Sequence, residues 1–329
     1  RTLFSALSTG TANCQHTPFS GGAPVHLLAI MSFSLRSTAS FSRSRSTKNS
    51  SSGQHSLTTL GEISSYAKNG AGYDHAKEWH YPETSDGWYR IHNAVRAEIT
   101  KLNACVAKLA GAPLQEWQVK SMQAYWKGHE KTVHSHHHHE DDLFTPMLKQ
   151  RTHLPEKLET DHVGLVQMMD QIGEHVKNLK VGAPLPAQLL DLVARYKTFM
   201  EAHLKEEETI CVPLMRAYFE PDFVAKLVGE VMQKLDPMVM GSFVHHHRDK
   251  AGFMQFMKQE GIPFFVWYLN FKGTRTKYRK EMETHVQAIL QGKPAAKPYT
   301  SKAQLSLAMN CGNYSWQVPP GTGGGAAQG

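Results

Sequence analysis

Two stretches of the sequence repeat one pattern, and together they decide the fold. Residues 136–148 read HHHHEDDLFTPML, and residues 203–215 read HLKEEETICVPLM. At an offset of 67 positions, both stretches show a His-x-x-x-Glu pair, a second acid, a proline six residues after the Glu, and an apolar pair. Because residues four positions apart lie on the same face of an α-helix, each His points in the same direction as its Glu. The pattern predicts two equivalent helices in a duplicated unit.

The helix that precedes each stretch repeats as well, at an offset of 70 positions. His92 aligns with His162, and the apolar residues that follow the two histidines coincide. The matched pairs are Val95 with Leu165, Ile99 with Met169, Leu102 with Ile172, Val106 with Val176, and Leu109 with Leu179. Their spacing follows one helical face, so each histidine begins a stripe that faces a core.

The middle of the chain is predicted to be all-α. Apolar residues recur three and four positions apart, and alternating β-branched residues are scarce. Cap residues and helix breakers delimit four long helices at about residues 86–111, 114–150, 155–181 and 186–219. Short loops make neighbouring helices antiparallel, which predicts an up-down four-helix bundle over residues 85–219.

The flanks have different compositions. Residues 1–61 hold five Lys or Arg and no acid and are rich in Ser, which is typical of a disordered or targeting segment. The chain does not open on Met, and Met31 is a candidate start of the natural protein. Residues 221–299 are predicted to form a helical C-terminal extension, interrupted at Pro237 and Pro263, and residues 300–329 a flexible tail.

Composition narrows the classes of partner. The net charge is +7, but residues 62–234 carry 20 basic and 24 acidic residues, so no nucleic-acid partner is predicted for the folded part. The longest apolar run, residues 262–271, is too short for a membrane span, which needs roughly 20 residues. Four cysteines without a CxxC pair favour a reducing, intracellular compartment. We therefore expect a cytoplasmic protein, or a mitochondrial or plastid one if residues 1–61 are a transit peptide.

The run of four histidines leaves the register of helix 114–150 open. Three His-x-x-x-acid pairs compete, namely His136 with Glu140, His137 with Asp141, and His138 with Asp142. Alignment of Pro146 with Pro213 selects the first pair, and the apolar face of the helix agrees with this choice. The remaining histidines and aspartates of the run are then predicted to face solvent.

Six side chains from four helices are predicted to meet at one level of the bundle core: His92, His136, Glu140, His162, His203 and Glu207. Each buried, unpaired carboxylate costs on the order of several kcal/mol, so such a set needs a counter-charge. Two divalent cations supply that charge. Imidazole and carboxylate ligands suit iron, manganese or zinc. The set therefore predicts a dinuclear metal centre.

This order of motifs resembles the hemerythrin or HHE cation-binding family, whose pattern is His, His-x-x-x-Glu, His and His-x-x-x-Glu on four successive helices. The resemblance covers about residues 88–215. It implies a hemerythrin-like four-helix bundle in which the six residues bind a di-iron centre. It further implies that Glu140 and Glu207 bridge the two irons, and that O₂ or another small diatomic ligand binds at an open site on one iron.

The sequence departs from the oxygen-carrying members at one ligand. Their third helix carries a second histidine four residues from the first, whereas Leu158 and Val166 stand at these positions around His162. Glu159 is left open as a substitute ligand, and His129 as a ligand or an outer-sphere partner.

Three classes of function are consistent with the motifs. A binding protein that carries or senses O₂ or stores iron is favoured, and no nucleophile–base constellation is apparent that would make the protein a hydrolase. An oxidative di-iron enzyme, such as a ferroxidase or a peroxide- or NO-scavenging protein, would use the same ligands. A structural subunit is the third class, with a protein partner binding to residues 221–299, in which His245–His247 are interpreted as a solvated helix face.

Overall fold

The computed structural model describes residues 60–68, 74–247 and 250–294. The predictions for residues 1–59 and for the segment beyond residue 294 lie outside this range. Within it, the all-α prediction is confirmed, since the structure is helical and contains no strand. No helix in the described part of the chain is both long enough and apolar enough to cross a membrane.

Eleven α-helices are found in the described residues. In chain order they are α1 (Leu60–Ser65), α2 (Gly87–Leu109), α3 (Glu116–His139), α4 (Thr145–Arg151), α5 (Glu156–Lys177), α6 (Ala187–Tyr218), α7 (Pro221–Lys234), α8 (Pro237–His246), α9 (Lys250–Gln259), α10 (Lys272–Tyr278) and α11 (Thr284–Gln291). Short 3-10 helices span Ala76–Glu78 and Glu83–Ser85, and π-helical turns span Glu140–Phe144, Trp267–Phe271 and Arg279–Glu283.

The predicted helix 114–150 is interrupted by the π-helical turn between α3 and α4. Pro146 lies just after this turn and has no amide hydrogen to donate to the carbonyl of Asp142. The equivalent Pro213 lies inside the uninterrupted helix α6, so the proline alone does not account for the wide turn. The turn begins at Glu140, which is one of the predicted metal ligands. Wide turns of this kind occur frequently at functional sites.

The helices α2, α3, α5 and α6 form a closed ring in which each contacts two others. Helix α2 packs on α3 and α6, and α5 packs on the same two helices. The apolar stripes of the repeat lie inside the ring; Ile99, Leu102, Met169 and Ile172 are completely buried. The order in which the four helices run up and down stays a prediction.

In each half of the ring a short loop joins the two helices, and the two loops have the same sequence. The tetrapeptide GAPL occurs at residues 111–114 and again at residues 182–185. Gly111 has φ +87° and Gly182 has φ +81°, a left-handed conformation that favours glycine at helix ends. The two loops pair through Leu114, whose amide donates to the Ala183 carbonyl and whose carbonyl accepts from the Gly182 amide. This pairing closes one end of the duplicated unit.

The helices that follow α7 cover one side of the ring. Both α8 and α11 pack against α2 and α3. Tyr278, Met282 and Val286 belong to the same apolar cluster as the core of the ring. Phe253 and Phe256 of α9 belong to a separate apolar cluster, to which α8 also contributes side chains. The side of the ring formed by α2 and α3 is therefore buried.

Helix α8 approaches α10 too closely to accept a side chain at Gly241. A Cβ atom added there would overlap the Thr274 carbonyl oxygen and lie 2.8 Å from Tyr278 Cβ. We expect Gly241→Ala to lower the free energy of unfolding by about 1–3 kcal/mol, because the two helices must separate. Chemical denaturation followed by circular dichroism measures this change.

Gly229 in α7 provides the matched control, because nothing lies within 4 Å of an added Cβ atom there. Gly229→Ala should be neutral or stabilising by up to about 1 kcal/mol, since alanine is the better helix former. Equal stability of the two variants would contradict the close packing of α8 on α10.

Candidate metal centre

The structure brings the six predicted ligands together at one level of the ring. They come from all four helices and from the π-helical turn that follows α3. None of the six is more than 7 % exposed. His92 lies centrally, with Nε2 3.4 Å from Glu140 Oε1 and 3.4 Å from Glu207 Oε2. The two carboxylates therefore approach the same imidazole, and their ligand oxygens lie within 4.8 Å of each other.

The other imidazoles surround the same two carboxylates. His136 Nε2 lies 3.4 Å from Glu140 Oε1, and His203 Nε2 lies 3.6 Å from Glu207 Oε2. His162 Nε2 reaches both acids, at 3.6 Å from Glu207 Oε1 and 3.9 Å from Glu140 Oε2. These separations are longer than typical N–H···O hydrogen bonds of about 2.7–3.2 Å. They leave room for a cation to which both atoms bind at about 2.0–2.2 Å.

Several polar atoms that face the centre have no hydrogen-bond partner within the described residues. They are Nε2 of His136, His162 and His203, and Oε2 of Glu140 and Glu207. A buried polar atom without a partner costs about 1–3 kcal/mol. Bound metal would give all of these atoms a partner, and nitrogen and oxygen donors of this kind suit iron, manganese or zinc. The residues therefore fit a metal centre.

His137 belongs to the centre, although the sequence analysis placed it in solvent. That prediction is wrong, because His137 is 3 % exposed. Its ring stacks on His162, with centroids 4.4 Å apart, and lies 5.6 Å from the ring of His203. Neither ring nitrogen has a hydrogen-bond partner in the described structure. The centre therefore contains five imidazoles and two carboxylates.

These seven side chains form two groups of possible ligands. One group is His137, His162 and His203, and the other is His92, His136, Glu140 and Glu207. Within each group, the ligand atoms lie within 4.8 Å of one another. The centre is therefore asymmetric, with three imidazoles on one side and two on the other.

The repeat contained the signal that would have located His137. Its counterpart at the offset of 67 is Leu204, which is completely buried. His137 also follows the buried Val133 by four residues and therefore shares its face. The apolar pattern of the second half was thus a better guide to residue 137 than the polarity of the histidine run.

Two acids outside the centre orient two of its histidines in the same way. Asp141 Oδ1 accepts a hydrogen bond from His162 Nδ1 at 2.8 Å, and Glu208 Oε1 accepts one from His92 Nδ1 at 3.1 Å. Asp141 and Glu208 occupy equivalent positions of the repeat. Each bond keeps a proton on Nδ1 and aims Nε2 at the centre, so that Nε2 is the atom left to bind metal once its own proton is lost, as outer acids arrange in metal sites. Asp141, predicted to face solvent, is half exposed but serves this role.

Neither of the two alternative ligands lies in the centre. Glu159 is 44 % exposed and forms an ion pair with Lys149 at the surface. His129 is buried, but it bonds Glu98 Oε2 and the Tyr196 hydroxyl, each at 3.1 Å. His129 thus belongs to a separate polar network on the inward side of α3.

The carboxylates control the protonation of the centre when no metal is bound. Burial opposes charge on His92, but Glu140 and Glu208 outweigh it and raise its pKa to about 9. Burial also opposes charge on His162, whose pKa is raised to about 9 by Glu207 and Glu140. Burial and the adjacent charge of Glu207 raise the pKa of Glu140 to about 7. At neutral pH, His92 and His162 therefore hold protons that offset the two acids.

Comparison with known families agrees with this geometry. Residues 84–215 match the family model of the hemerythrin HHE cation binding domain. The match confirms the resemblance drawn from the motifs and covers less than half of the chain. No curated protein and no solved structure gives a significant match to this chain.

We expect cation binding at pH 7 to release protons: a fraction of one from Glu140, whose pKa is about 7, and roughly two from His92 and His162, which must lose theirs before they bind metal. Their raised pKa values place both protons on the metal-free protein at this pH. Metal affinity should consequently decrease as the pH falls from 9 to 6. Anaerobic calorimetric titration of chelator-treated protein with Fe²⁺ in two buffers of different ionisation enthalpy measures the release. Identical heats in both buffers would contradict this protonation state.

Proposed function

We propose that residues 84–215, the hemerythrin HHE domain of this chain, hold a non-haem di-iron centre that binds O₂ or a related small diatomic molecule. The observation that carries this proposal is the unequal division of five buried imidazoles around two neighbouring carboxylates. Glu140 and Glu207 are the proposed bridging ligands, because each approaches imidazoles of both groups.

The division of ligands suggests which side takes the small molecule. His137, His162 and His203 form one side. Glu140 and Glu207 approach His162, and Glu207 also approaches His203, so with the two carboxylates this side would offer five donors. His92 and His136 with the same carboxylates offer four donors on the other side. Iron in such sites accepts up to about six donors. A cation on the side of His92 and His136 would therefore be held by fewer side chains and would have more room for an external ligand.

The burial of the centre supports a binding function. A pair of ferrous ions supplies open coordination positions and electrons, which O₂ requires for binding. The protein supplies a closed surrounding, in which Trp88 packs at 6.3 Å from the ring of His92 and Phe144 packs on Trp88. Every ligand residue is at most 7 % exposed, which favours a small molecule over a bulky one as the ligand. An enzyme that acts on a larger substrate would need a wider entrance.

The two acids outside the centre, Asp141 and Glu208, fix the orientation of two imidazoles. Asp141 and Glu208 hold the rings of His162 and His92, so that both present Nε2 without reorientation. Arg96 pairs with Glu208 at 2.6 Å and keeps this carboxylate in place. Removal of such outer partners typically weakens metal sites about 10–100-fold.

The proposed function is tested on the iron-loaded protein. We expect roughly two iron ions per chain and a visible absorption change that appears on exposure to O₂ and reverses on its removal. His136→Ala should remove the absorption change and the bound iron, because His136 is a buried ligand on the side with fewer side chains. His138→Ala is the matched control, since the neighbouring His138 is 69 % exposed, and it should retain both.

Two outcomes would reject this function. Iron that remains bound in His136→Ala but is lost in His138→Ala would show that the ligands are wrong. Continuous turnover of Fe²⁺, H₂O₂ or NO by the iron-loaded protein, without a reversible O₂ spectrum, would instead support an oxidative enzyme.

His137 is expected to be a seventh ligand. His137→Leu introduces the residue that the second half of the repeat carries at this position, Leu204, so the core should still pack. Because loss of an outer partner alone costs about 10–100-fold in affinity, loss of a direct ligand should weaken iron binding at least about tenfold. Competition with a chromophoric chelator measures the affinity. An unchanged affinity in His137→Leu would show that six ligands suffice.

A further inference from the structure

A second cluster of histidine and carboxylate side chains lies away from the bundle centre. It consists of His245 and His246 at the end of α8, and Glu283 at the end of a π-helical turn. Lys101 of α2 contacts the cluster, nine residues from His92, which corresponds to about 13 Å along the helix. His245 is 15 % exposed and Glu283 13 % exposed, so the predicted solvated helix face is wrong here. The histidines are instead covered by α2 and by the residues that precede α11.

The side chains of this cluster converge on one cation, the ammonium group of Lys101. Lys101 Nζ lies 2.6 Å from Glu283 Oε2 and 3.2 Å from His246 Nε2. His246 Nδ1 lies 3.0 Å from the Ser242 carbonyl oxygen and donates its proton there. The Nε2 lone pair of His246 is therefore the one that faces the ammonium, which is the tautomer that metal-binding histidines adopt.

His245 completes the set of donors. Its Nε2 lies 3.4 Å from Glu283 Oε2, the same separation as between His92 or His136 and the carboxylates of the bundle centre. Its Nδ1 has no hydrogen-bond partner within the described residues. One ligand atom from each of His245, His246 and Glu283 lies within 4.8 Å of the others.

We propose that His245, His246 and Glu283 form a second, mononuclear site for a divalent cation of the zinc class, which binds in exchange for the Lys101 ammonium. Two imidazoles and one carboxylate are a common protein ligand set for zinc, with a further position for water. The site lies in the C-terminal helices and is separate from the seven side chains of the bundle centre.

The lysine makes this site exchangeable. In the metal-free protein, the ammonium neutralises Glu283, which would otherwise be a largely buried and unpaired carboxylate. The Lys101 side chain is 24 % exposed and has a flexible stem, so its charged end can move into solvent when a metal ion binds. Water reaches the lysine end of this ion pair and weakens the attraction between the two charges. Three coordination bonds can outweigh the loss of this ion pair.

The buried carboxylate of Glu98 helps to fix the position of the histidine pair. The hydroxyl of Ser242 donates to Glu98 Oε1 and lies 3.4 Å from His246 Nδ1. Glu98 is completely buried and also bonds His129. This connection fixes α8 against α2 and α3, so the imidazoles are held in place before any cation binds.

Zinc titration of the full chain tests the proposal, with the bundle centre first loaded with iron. We expect the wild-type protein to bind one additional Zn²⁺, by calorimetry and by metal analysis after dialysis. Glu283→Gln should weaken this binding at least about tenfold, because the ligand loses its charge. Lys101→Met should strengthen it about tenfold or more, because the competing ammonium is removed. Glu281→Gln, an exposed acid in the same turn, is the matched control and should bind like wild type.

The difference between Glu283→Gln and Glu281→Gln does not depend on iron in the bundle, so the two proposals fail separately. Equal zinc binding by these two variants would overturn the second site, whatever the iron content. Weaker zinc binding by Lys101→Met would also overturn it, because removal of the competing ammonium must raise the affinity of the site for zinc. A thermal midpoint that Zn²⁺ raises in Lys101→Met but not in Glu283→Gln would support it.

Discussion

The structure depends on two carboxylates that lie close together inside an apolar ring of helices. Glu140 and Glu207 are each 3 % exposed, and within the described residues only imidazoles form ion pairs with them. Two buried like charges at this spacing destabilise the fold unless positive charge accompanies them. Protons on the imidazoles supply that charge in part, and divalent cations supply it fully. Asp141 and Glu208 hold two of the surrounding imidazoles in place beside these carboxylates.

Duplication explains most of this arrangement, and one departure from it explains the asymmetry. The equivalent positions Asp141 and Glu208 both bond the Nδ1 atom of a lone histidine on a neighbouring helix. His129 and Tyr196 are also equivalent positions of the repeat, and they bond each other. At the third pair of positions, one half carries His137 and the other Leu204. That single difference gives one side of the centre a third imidazole.

Sequence reasoning found the ring helices and six of the seven central side chains, because a repeated helical period records which residues share a face. It missed His137, because polarity was taken as a sign of exposure within a run of histidines. It also missed the environment of His245 and His246, because their burial depends on α2 and on residues near Glu283, which are distant in the sequence. Local periodicity carries no information about such contacts, and so the packing of α8 and α11 on the ring could not be predicted.

The bundle centre and the second cluster both contain buried carboxylates, but the negative charge of these carboxylates is neutralised in different ways. Glu283 has a lysine within 2.6 Å, so this carboxylate is neutralised without metal. Glu140 and Glu207 have no such neighbour in the described structure, and Arg96 pairs with Glu208 instead of with either of them. Since a lysine stem can leave and return, the second cluster can exchange its cation without loss of the fold. In the bundle centre, only protons on the imidazoles can replace a metal ion as the positive charge. Metal binding there is therefore coupled more tightly to the stability of the surrounding helices.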